Sequence, residues 1–283
     1  MQPTKRLLLA SLAASAVLGS LAGCSDNGSA PSADSSKASS EASASADLLA
    51  RIKERGTITI AMEGTWSPWT YHDKDGNLTG YDVEIGRRIA QKIGVKAEFI
   101  EGKWDGLLAG LDAGRYDLMI NGVGVTPERE RAYNFSKPYA YDRVAVIVNA
   151  DQNNITRIDD LKGKTTANTI SSTYAETAEK YGAKVIGVDD LNQTFELLRA
   201  RRIDATLNSE VTFVDYTKAH PDAAIKIAVF VPEQGLVAIP LKKDPSTDSL
   251  RALINETIDE LRASGELSKI SQRFFGLDIS SEK

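Results

Sequence analysis

The sequence predicts an α/β protein built from two similar lobes. Short runs rich in β-branched residues alternate with helical stretches of about ten residues, a pattern typical of βαβ units and a mainly parallel sheet. The pattern occurs twice, because a helix, a basic turn and a strand opened by Asp recur at Gly114-Arg115-Tyr116-Asp117 and at Arg201-Arg202-Ile203-Asp204. Two such halves imply a cleft in which a ligand binds at the carboxyl ends of strands.

The first half supplies three predicted helices and three predicted strands in alternation. Helical spacing in the first stretch ends at Gly56, and the spacing from Val83 to Ile93 ends at Gly94, because glycine often follows a helix. The predicted helices are residues 47–53, 83–93 and 104–113, and the predicted strands are residues 57–62, 96–100 and 116–120.

The second half repeats the alternation, and the chain closes with two helices. Capping residues in Asp244-Pro245-Ser246-Thr247 begin the first closing helix, and Gly265 ends it. The predicted strands are residues 144–148, 164–168, 183–188 and 204–207, and the predicted helices are 173–181, 191–201, 211–219, 246–263 and 266–275.

The N-terminal part is predicted to carry an export signal, a lipid and a flexible tether. Lys5-Arg6 precedes an apolar stretch at 7–18, which suits a secretory signal and is too short to span a membrane. The stretch leads to Leu21-Ala22-Gly23-Cys24, which resembles the bacterial lipobox. Residues 1–23 are therefore predicted as a signal peptide and Cys24 as an acylated residue carrying chains such as palmitate, rather than a buried free cysteine. Residues 24–46, rich in Ser and Ala, are predicted as a tether to the extracytoplasmic face of the cell membrane.

Composition and motifs argue against several classes of function. The formal net charge is −5, and removal of the signal peptide takes it to about −7, which argues against a nucleic-acid partner. Cys24 is the only cysteine, so no disulfide framework is expected. His72 and His220 lack nearby ligand-spaced acids or cysteines, and no Walker loop, nucleophile elbow or complete dinucleotide fingerprint follows a predicted strand. We expect a monomer with no metal, no cofactor and no catalytic residue.

A candidate carboxylate site lies where a predicted strand meets a predicted helix. Asn121-Gly122-Val123-Gly124 lets the backbone approach a ligand closely, and Thr126-Pro127 suits the start of a helix. Free amides near a helix N-terminus attract an anion, and Arg129 can bind a carboxylate through two parallel hydrogen bonds. The alternative is that Arg129 belongs to a solvated helix face, Glu128-Arg129-Glu130-Arg131.

A second donor cluster and several aromatic residues support a cleft. Ser171-Ser172-Thr173 begins a predicted helix in the second half, at the place that corresponds to the first cluster. Two facing donor sets would clamp a small zwitterion between lobes. The segment Trp66-Ser67-Pro68-Trp69-Thr70-Tyr71 and Trp104 are either core residues or walls of the cleft.

Several motifs together resemble the extracellular solute-binding proteins for polar amino acids. They cover essentially all of residues 47–278 in the correct order. They are Gly80-Tyr81-Asp82-Val83-Glu84-Ile85-Gly86-Arg87-Arg88-Ile89-Ala90, Glu63-Gly64-Thr65-Trp66-Ser67-Pro68-Trp69, Lys103-Trp104-Asp105-Gly106, Thr126 to Arg129, Phe135-Ser136-Lys137-Pro138-Tyr139 and Asp160-Leu161-Lys162-Gly163-Lys164.

The resemblance implies a type II periplasmic-binding-protein fold, with two lobes joined by a two-strand hinge. The lobes would be residues 47–142 with 238–283, and residues 143–237. An ABC permease and its ATPase would be the partners, and the cargo would be an amino acid. The Glu-Gly-Thr-aromatic and Lys-Trp-Asp-Gly stretches look closest to the cystine-binding branch.

The resemblance also implies roles for individual residues. Arg129 would pair with the ligand's α-carboxylate, helped by Asn121, Gly122 and Gly124, and the second lobe would donate from Ser172 and Thr173. Trp66 would pack on the ligand, with Trp69 and Trp104 as further walls.

One position departs from the family. The family usually places an aspartate for the α-ammonium where this chain has Ser209. Glu210 or Glu63 would compensate, or the ligand lacks a free α-amino group. Glu210 as an ordinary acid at a helix N-terminus is a further alternative.

Two other classes of function remain open at this stage. Some dehydratases of aromatic amino-acid biosynthesis share the fold and much of the motif set, and they need an acid in the cleft. A lipoprotein that senses a ligand without transport is the other alternative.

Overall fold

The computed structural model describes residues 47–282. The predicted signal peptide of residues 1–23, the lipid site at Cys24 and the tether of residues 24–46 lie outside the described residues. No helix within residues 47–282 is both long enough and apolar enough to cross a membrane.

Helices and strands alternate through much of the chain, as the sequence predicts, but the consecutive strands within residues 71–79, 133–142 and 225–242 were not predicted. The elements up to the end of the first half are Leu48–Arg55 (α1), Thr57–Met62 (β1), Tyr71–His72 (β2), Leu78–Thr79 (β3), Tyr81–Ile93 (α2), Lys96–Glu101 (β4), Trp104–Asp112 (α3), Leu118–Met119 (β5), Pro127–Ala132 (α4), Tyr133–Phe135 (β6) and Ala140–Asp142 (β7). The remaining elements are Val144–Asn149 (β8), Thr165–Asn168 (β9), Thr173–Lys180 (α5), Lys184–Gly187 (β10), Leu191–Arg199 (α6), Thr206–Ser209 (β11), Glu210–Ala219 (α7), Ile225–Phe230 (β12), Gly235–Val237 (β13), Pro240–Lys242 (β14), Asp248–Ala263 (α8) and Glu266–Phe275 (α9).

The first lobe is built on a parallel sheet in which β1 lies between β4 and β5. On one face, Ile58 and Ile60 of β1 join a buried cluster with the apolar sides of α1, α2, α8 and α9. On the other face, Ala61 packs with Leu107 and Leu111 of α3. Both faces of the sheet are covered, so the carboxyl ends of its strands are left as the place for a site.

The second lobe corrects the expectation of a mainly parallel sheet. β9 and β10 are parallel, but the central strand β8 pairs antiparallel with both β11 and β12. The reason lies in connectivity, because β8 directly follows the crossing strand β7 and no crossover helix sets its direction. Alternate residues of β8 face opposite sides: Val146 and Val148 pack toward α5, and Ala145 and Ile147 pack toward α6 and α7.

Two short strands carry the chain between the lobes. β7 leads out of the first lobe and β13 leads back, and they pair antiparallel through Ala140 to Asp142 and Gly235 to Val237. Such a pair of crossing strands is the hinge that the predicted fold requires.

The internal repeat in the sequence has a structural counterpart. Asp117 accepts a hydrogen bond from the Thr59 amide over 2.7 Å, and Asp204 accepts one from the Thr165 amide over 2.8 Å. Gly114 and Arg201 occupy the turns before these aspartates with φ of 67° and 57°. Arg201 is the one described non-glycine residue with a left-handed backbone, because its turn repeats a geometry that suits glycine.

Candidate ligand-binding site

A narrow cleft between the two lobes holds most of the residues predicted to bind a ligand. Its empty volume, which includes space open to solvent, is about 380 Å³. Nine of the predicted residues line it, together with Tyr174, which the sequence analysis did not single out. The lining residues are Trp66, Trp69, Trp104, Asn121, Gly122, Gly124, Arg129, Ser172, Thr173 and Tyr174.

Arg129 is buried in the cleft and does not belong to a solvated helix face. Thr126 caps α4 by accepting from the Arg129 amide over 3.2 Å, which fixes the start of the helix. Nη1 of Arg129 donates to the Gly124 carbonyl and Nη2 to the Ser171 carbonyl, each over 2.9 Å. Arg131, two residues further on, is exposed and pairs with Glu128. A guanidinium has five N–H donors, so Arg129 retains donors for an anion in the cleft.

Aromatic rings form the walls of the cleft. The ring centroids of Trp66 and Tyr174 lie 5.9 Å apart across the two lobes, and the Arg129 guanidinium lies 5.4 Å above the Trp104 ring. Trp69 is both core and wall, because it packs with its ring centroid 4.8 Å from that of Phe275 and still lines the cleft. Tyr71, predicted as a possible wall, is not among the lining residues.

Glu63 lies directly behind Asn121. The Asn121 side chain donates to the Glu63 carboxyl over 2.7 Å, and it accepts from the Glu63 amide over 2.7 Å. Glu63 is only 7% exposed, and this burial raises the pKa of its carboxyl to about 7. Glu63 is therefore a buried acid one residue away from the cleft, poised to change its charge near neutral pH.

A second buried acid fixes the backbone at the floor of the cleft. Asp82 accepts from the Gly122 amide over 2.6 Å and from the Tyr139 hydroxyl over 2.8 Å. Gly122 has φ of 56°, which favours glycine. Complete burial raises the pKa of Asp82 to about 7. The Asp in the Gly-Tyr-Asp motif thus holds Gly122 in place.

The donor cluster of the second lobe lies at the start of α5. The Ser172 hydroxyl accepts from the Ala175 amide over 3.2 Å, so it caps the helix. Thr173 lies so close to Gly124 that a Cβ at position 124 would be 3.1 Å from its methyl group. A side chain at position 124 would therefore require Thr173 to shift by a few tenths of an ångström.

Ser209 does not face the cleft. It is fully buried, and its hydroxyl donates to Asp142 on hinge strand β7 over 2.8 Å. Asp142 is itself buried, which raises its pKa to about 7. Glu210, the other proposed substitute for the family aspartate, lies 3.4 Å from Arg143. Of the two acids proposed as substitutes, Glu63 is therefore the one that is hydrogen-bonded to a lining residue, Asn121.

The lobes are closed on each other. Trp66 Nε1 donates to Thr212 Oγ1 over 3.1 Å, and Ser67 Oγ donates to Asp215 over 2.7 Å. Outside the cleft, Lys103 pairs with Asp189 over 2.7 Å. The Ser171 hydroxyl also donates to Asp105.

The sequence profile of the family described as bacterial extracellular solute-binding proteins, family 3, matches residues 58–277. The chain belongs to this family. The motifs, the two lobes and the crossing strands agree with this membership, and the resemblance inferred from sequence is confirmed.

Two named relatives align with this chain over most of their own length. The "Probable amino-acid ABC transporter-binding protein" of Haemophilus influenzae is 36% identical over 83% of this chain and 90% of its own. The "L-cystine-binding protein TcyA" of Bacillus subtilis is 38% identical over 83% of this chain and 87% of its own.

One of the similar solved structures is of a protein in an open conformation. The L-cystine solute receptor of Neisseria gonorrhoeae, in its unliganded open conformation, is 43% identical, and the match covers 83% of this chain and 99% of that one. Its TM-score is nevertheless only 0.59.

Proposed function

We propose that this family member captures an amino acid in the cleft and presents it to an ABC importer. The observation that carries the proposal is the buried Arg129 guanidinium, framed by aromatic walls and by donors from both lobes. A planar guanidinium with free donors suits a carboxylate, and the aromatic faces suit the stem of a side chain. The names of the relatives support the same class of ligand.

In this proposal, Arg129 binds the α-carboxylate, with the amides around Gly122 and Gly124 as further donors. Ser172 and Thr173 complete the clamp from the second lobe, and Trp66, Trp69 and Trp104 enclose the ligand. Buried charge-assisted hydrogen bonds contribute about 1.5–3 kcal/mol each, so the carboxylate is the main determinant of affinity.

We propose that the α-ammonium lies on the Asn121 side of the cleft, where the Glu63 carboxyl, directly behind Asn121, supplies the negative charge. A buried carboxylate without a cation is costly, and none of the described salt bridges includes Glu63. A ligand ammonium would supply the missing positive charge. Ser209 has no direct part in this assignment, because its hydroxyl is committed to Asp142.

Among amino acids, cystine is the candidate we favour. The sequence motifs look closest to the cystine-binding branch, and TcyA of Bacillus subtilis is named for L-cystine. We propose binding without catalysis. The dehydratase alternative needs an acid in the cleft, and none of the lining residues is an acid. No observation favours the sensor alternative.

We propose that residues 47–142 with 238–283 and residues 143–237 close as two bodies about β7 and β13. The ligand contacts both bodies, so it stabilises the closed form, which a permease then recognises. We also propose that Cys24 carries the lipid and that residues 24–46 form the tether to the extracytoplasmic face of the membrane. We expect the mature protein to be a monomer.

Calorimetry of the mature protein against a panel of amino acids and L-cystine tests the proposal. We expect one ligand to bind tightly, to raise the melting temperature and to be recovered unchanged after incubation. Failure of every panel member to bind would reject amino-acid capture. A Cys24→Ala variant that still fractionates with membranes would reject the lipid anchor.

A further inference from the structure

One residue that lines the cleft carries a buried donor without a partner. Trp104 is 5% exposed, and its indole Nε1 has no hydrogen-bond acceptor among residues 47–282. The indole of Trp66, by contrast, donates to Thr212 Oγ1 over 3.1 Å. An unsatisfied buried donor costs about 1–3 kcal/mol, so an acceptor supplied by a ligand would stabilise this N–H.

The surroundings of Trp104 favour an electron-rich acceptor. Trp104 is the first residue of α3, and the Lys103 side chain does not cap this helix. The uncapped N-terminus carries partial positive charge, which attracts a carboxylate or carbonyl oxygen. The carboxylate of Asp105 is already engaged by the Ser171 hydroxyl.

The Arg129 guanidinium lies over the face of the Trp104 ring, whereas the indole N–H lies in the ring plane. The guanidinium is 5.4 Å from the centroid of the ring. The N–H bond is therefore directed along the ring plane and not toward the guanidinium that lies over the ring face.

We propose that Trp104 determines ligand specificity by donating its indole N–H to an acceptor at the side-chain end of the ligand. The site then selects amino acids with a distal carboxylate or carbonyl over those with purely apolar side chains. The inference rests on the proposed function, because Arg129 must hold the α-carboxylate for the side chain to reach Trp104.

The test compares the wild type with Trp104→Phe, which keeps an aromatic face and removes only the donor. Each protein is titrated calorimetrically with two pairs of probes. The first pair is L-cystine and the mixed disulfide of cysteine with ethanethiol, which lacks the distal acceptors. The second pair is L-glutamine and L-norleucine, with weak ligands measured by competition.

We expect Trp104→Phe to bind the acceptor-bearing member of a pair about tenfold more weakly, equivalent to about 1.4 kcal/mol. Its affinity for the apolar member is unchanged or higher, because the variant leaves no donor unpaired. Trp66→Phe is the matched control. The indole N–H of Trp66 donates to Thr212 of the protein, so Trp66→Phe should weaken both ligands of a pair equally.

Equal weakening of both members by Trp104→Phe overturns the inference and leaves amino-acid binding intact. An unchanged affinity for cystine and glutamine overturns it as well. If none of the four probes binds the wild type, the proposed function fails for these ligands, and the inference falls with it. Melting temperatures of both variants, compared with wild type, establish that each is folded.

Discussion

Arg129 of the first lobe donates to the backbone carbonyl of Ser171 in the second lobe over 2.9 Å. The same guanidinium donates to the Gly124 carbonyl of its own lobe. Arg129 therefore serves two purposes in this arrangement, because it ties the lobes together and keeps donors for an anion. A change at this position should affect both ligand affinity and lobe closure.

We expect Arg129→Ala to weaken binding of any α-carboxylate ligand by about 100-fold or more, since two charge-assisted hydrogen bonds are lost. Calorimetry measures the change. Arg131→Ala is the matched control, because Arg131 lies two residues away on the same helix, is exposed and contacts Glu128 instead of the cleft. Similar losses in both variants would remove Arg129 from the site.

Closure of the lobes should depend on contacts outside the cleft. Ser67 Oγ donates to Asp215 over 2.7 Å, so Ser67→Ala removes one cross-lobe bond without altering a lining residue. We expect ligand affinity to fall by about two- to fivefold, because a partly exposed bond contributes up to about 1 kcal/mol. Small-angle scattering should show a larger radius of gyration at subsaturating ligand.

The control for this prediction is Arg157→Ala, which removes an exposed pair with Asp159 inside the second lobe. It should leave both affinity and compaction unchanged. An identical radius of gyration for wild type, Ser67→Ala and Arg157→Ala at the same ligand concentration would show that the Ser67–Asp215 contact does not stabilise the closed form.

Replacing Ser209 with the aspartate that the family resemblance implies at this position should lower the stability of this protein. Ser209→Asp would place a second carboxyl beside buried Asp142, and two adjacent carboxylates cannot both ionise at low cost. We expect a loss of about 3 kcal/mol of stability at pH 8, and a smaller loss at pH 5, where both groups accept protons. Urea denaturation at pH 8 and at pH 5 measures the two losses of stability.

Ser209→Ala is the control, because it removes one hydrogen bond and adds no charge. It should cost about 1–2 kcal/mol. Tighter ligand binding by Ser209→Asp at undiminished stability would instead support the family arrangement for the ammonium.

Stability should fall as pH rises from about 4 to about 7. Asp82 has its folded-state pKa raised to about 7 by burial, compared with 3.8 as its ordinary value. In this window the native state holds a proton that the unfolded chain releases, so increasing pH favours unfolding. Asp82→Asn should lessen the slope of unfolding free energy by up to about 1.4 kcal/mol per pH unit.

Asp73→Asn serves as the control for the slope. Asp73 is half-buried, and the hydrogen bond from the Asn77 amide lowers its pKa, so its effect on the pH dependence of stability falls below this window. Its replacement should leave the slope between pH 5 and 7 as in the wild type. An unaltered slope in Asp82→Asn would mean that Asp82 is ionised throughout.

Local features were predictable from sequence. The N-cap at Thr126 and the helix ends at Gly56 and Gly94 depend on residues within one turn, and the structure has them as predicted. The convergence of Trp66 and Arg129 on one cleft followed from family motifs, because spacing alone left Arg129 as a possible surface charge.

Features that depend on distant residues were not predictable. The direction of β8 depends on the chain crossing between lobes, which no local pattern records. The Ser209 hydroxyl turns to Asp142, 67 residues away in sequence. Tyr174 carries a weak signal, because it follows the predicted donors Ser172 and Thr173 in the first turn of α5.

Ligand affinity should rise with pH through about 7 if Glu63 binds the ammonium. Burial, opposed by the hydrogen bond from Asn121, raises the pKa of Glu63 to about 7 in the ligand-free protein. A ligand cation binds the ionised carboxylate, so below this pKa binding must release a proton. We expect affinity for an amino acid to fall by up to about tenfold for each pH unit below 7 and to level off above it.

Glu63→Gln tests this assignment, because glutamine keeps an acceptor for Asn121 and cannot ionise. Its affinity should be lower at pH 8 and nearly independent of pH between 5 and 8. Glu101→Gln provides the control, since Glu101 lies beside His72 at the exposed end of β4 and should retain the wild-type profile. Calorimetry in buffers of different ionisation enthalpy counts the protons released at pH 6. Proton release by Glu63→Gln equal to that of the wild type would assign the titration to another group.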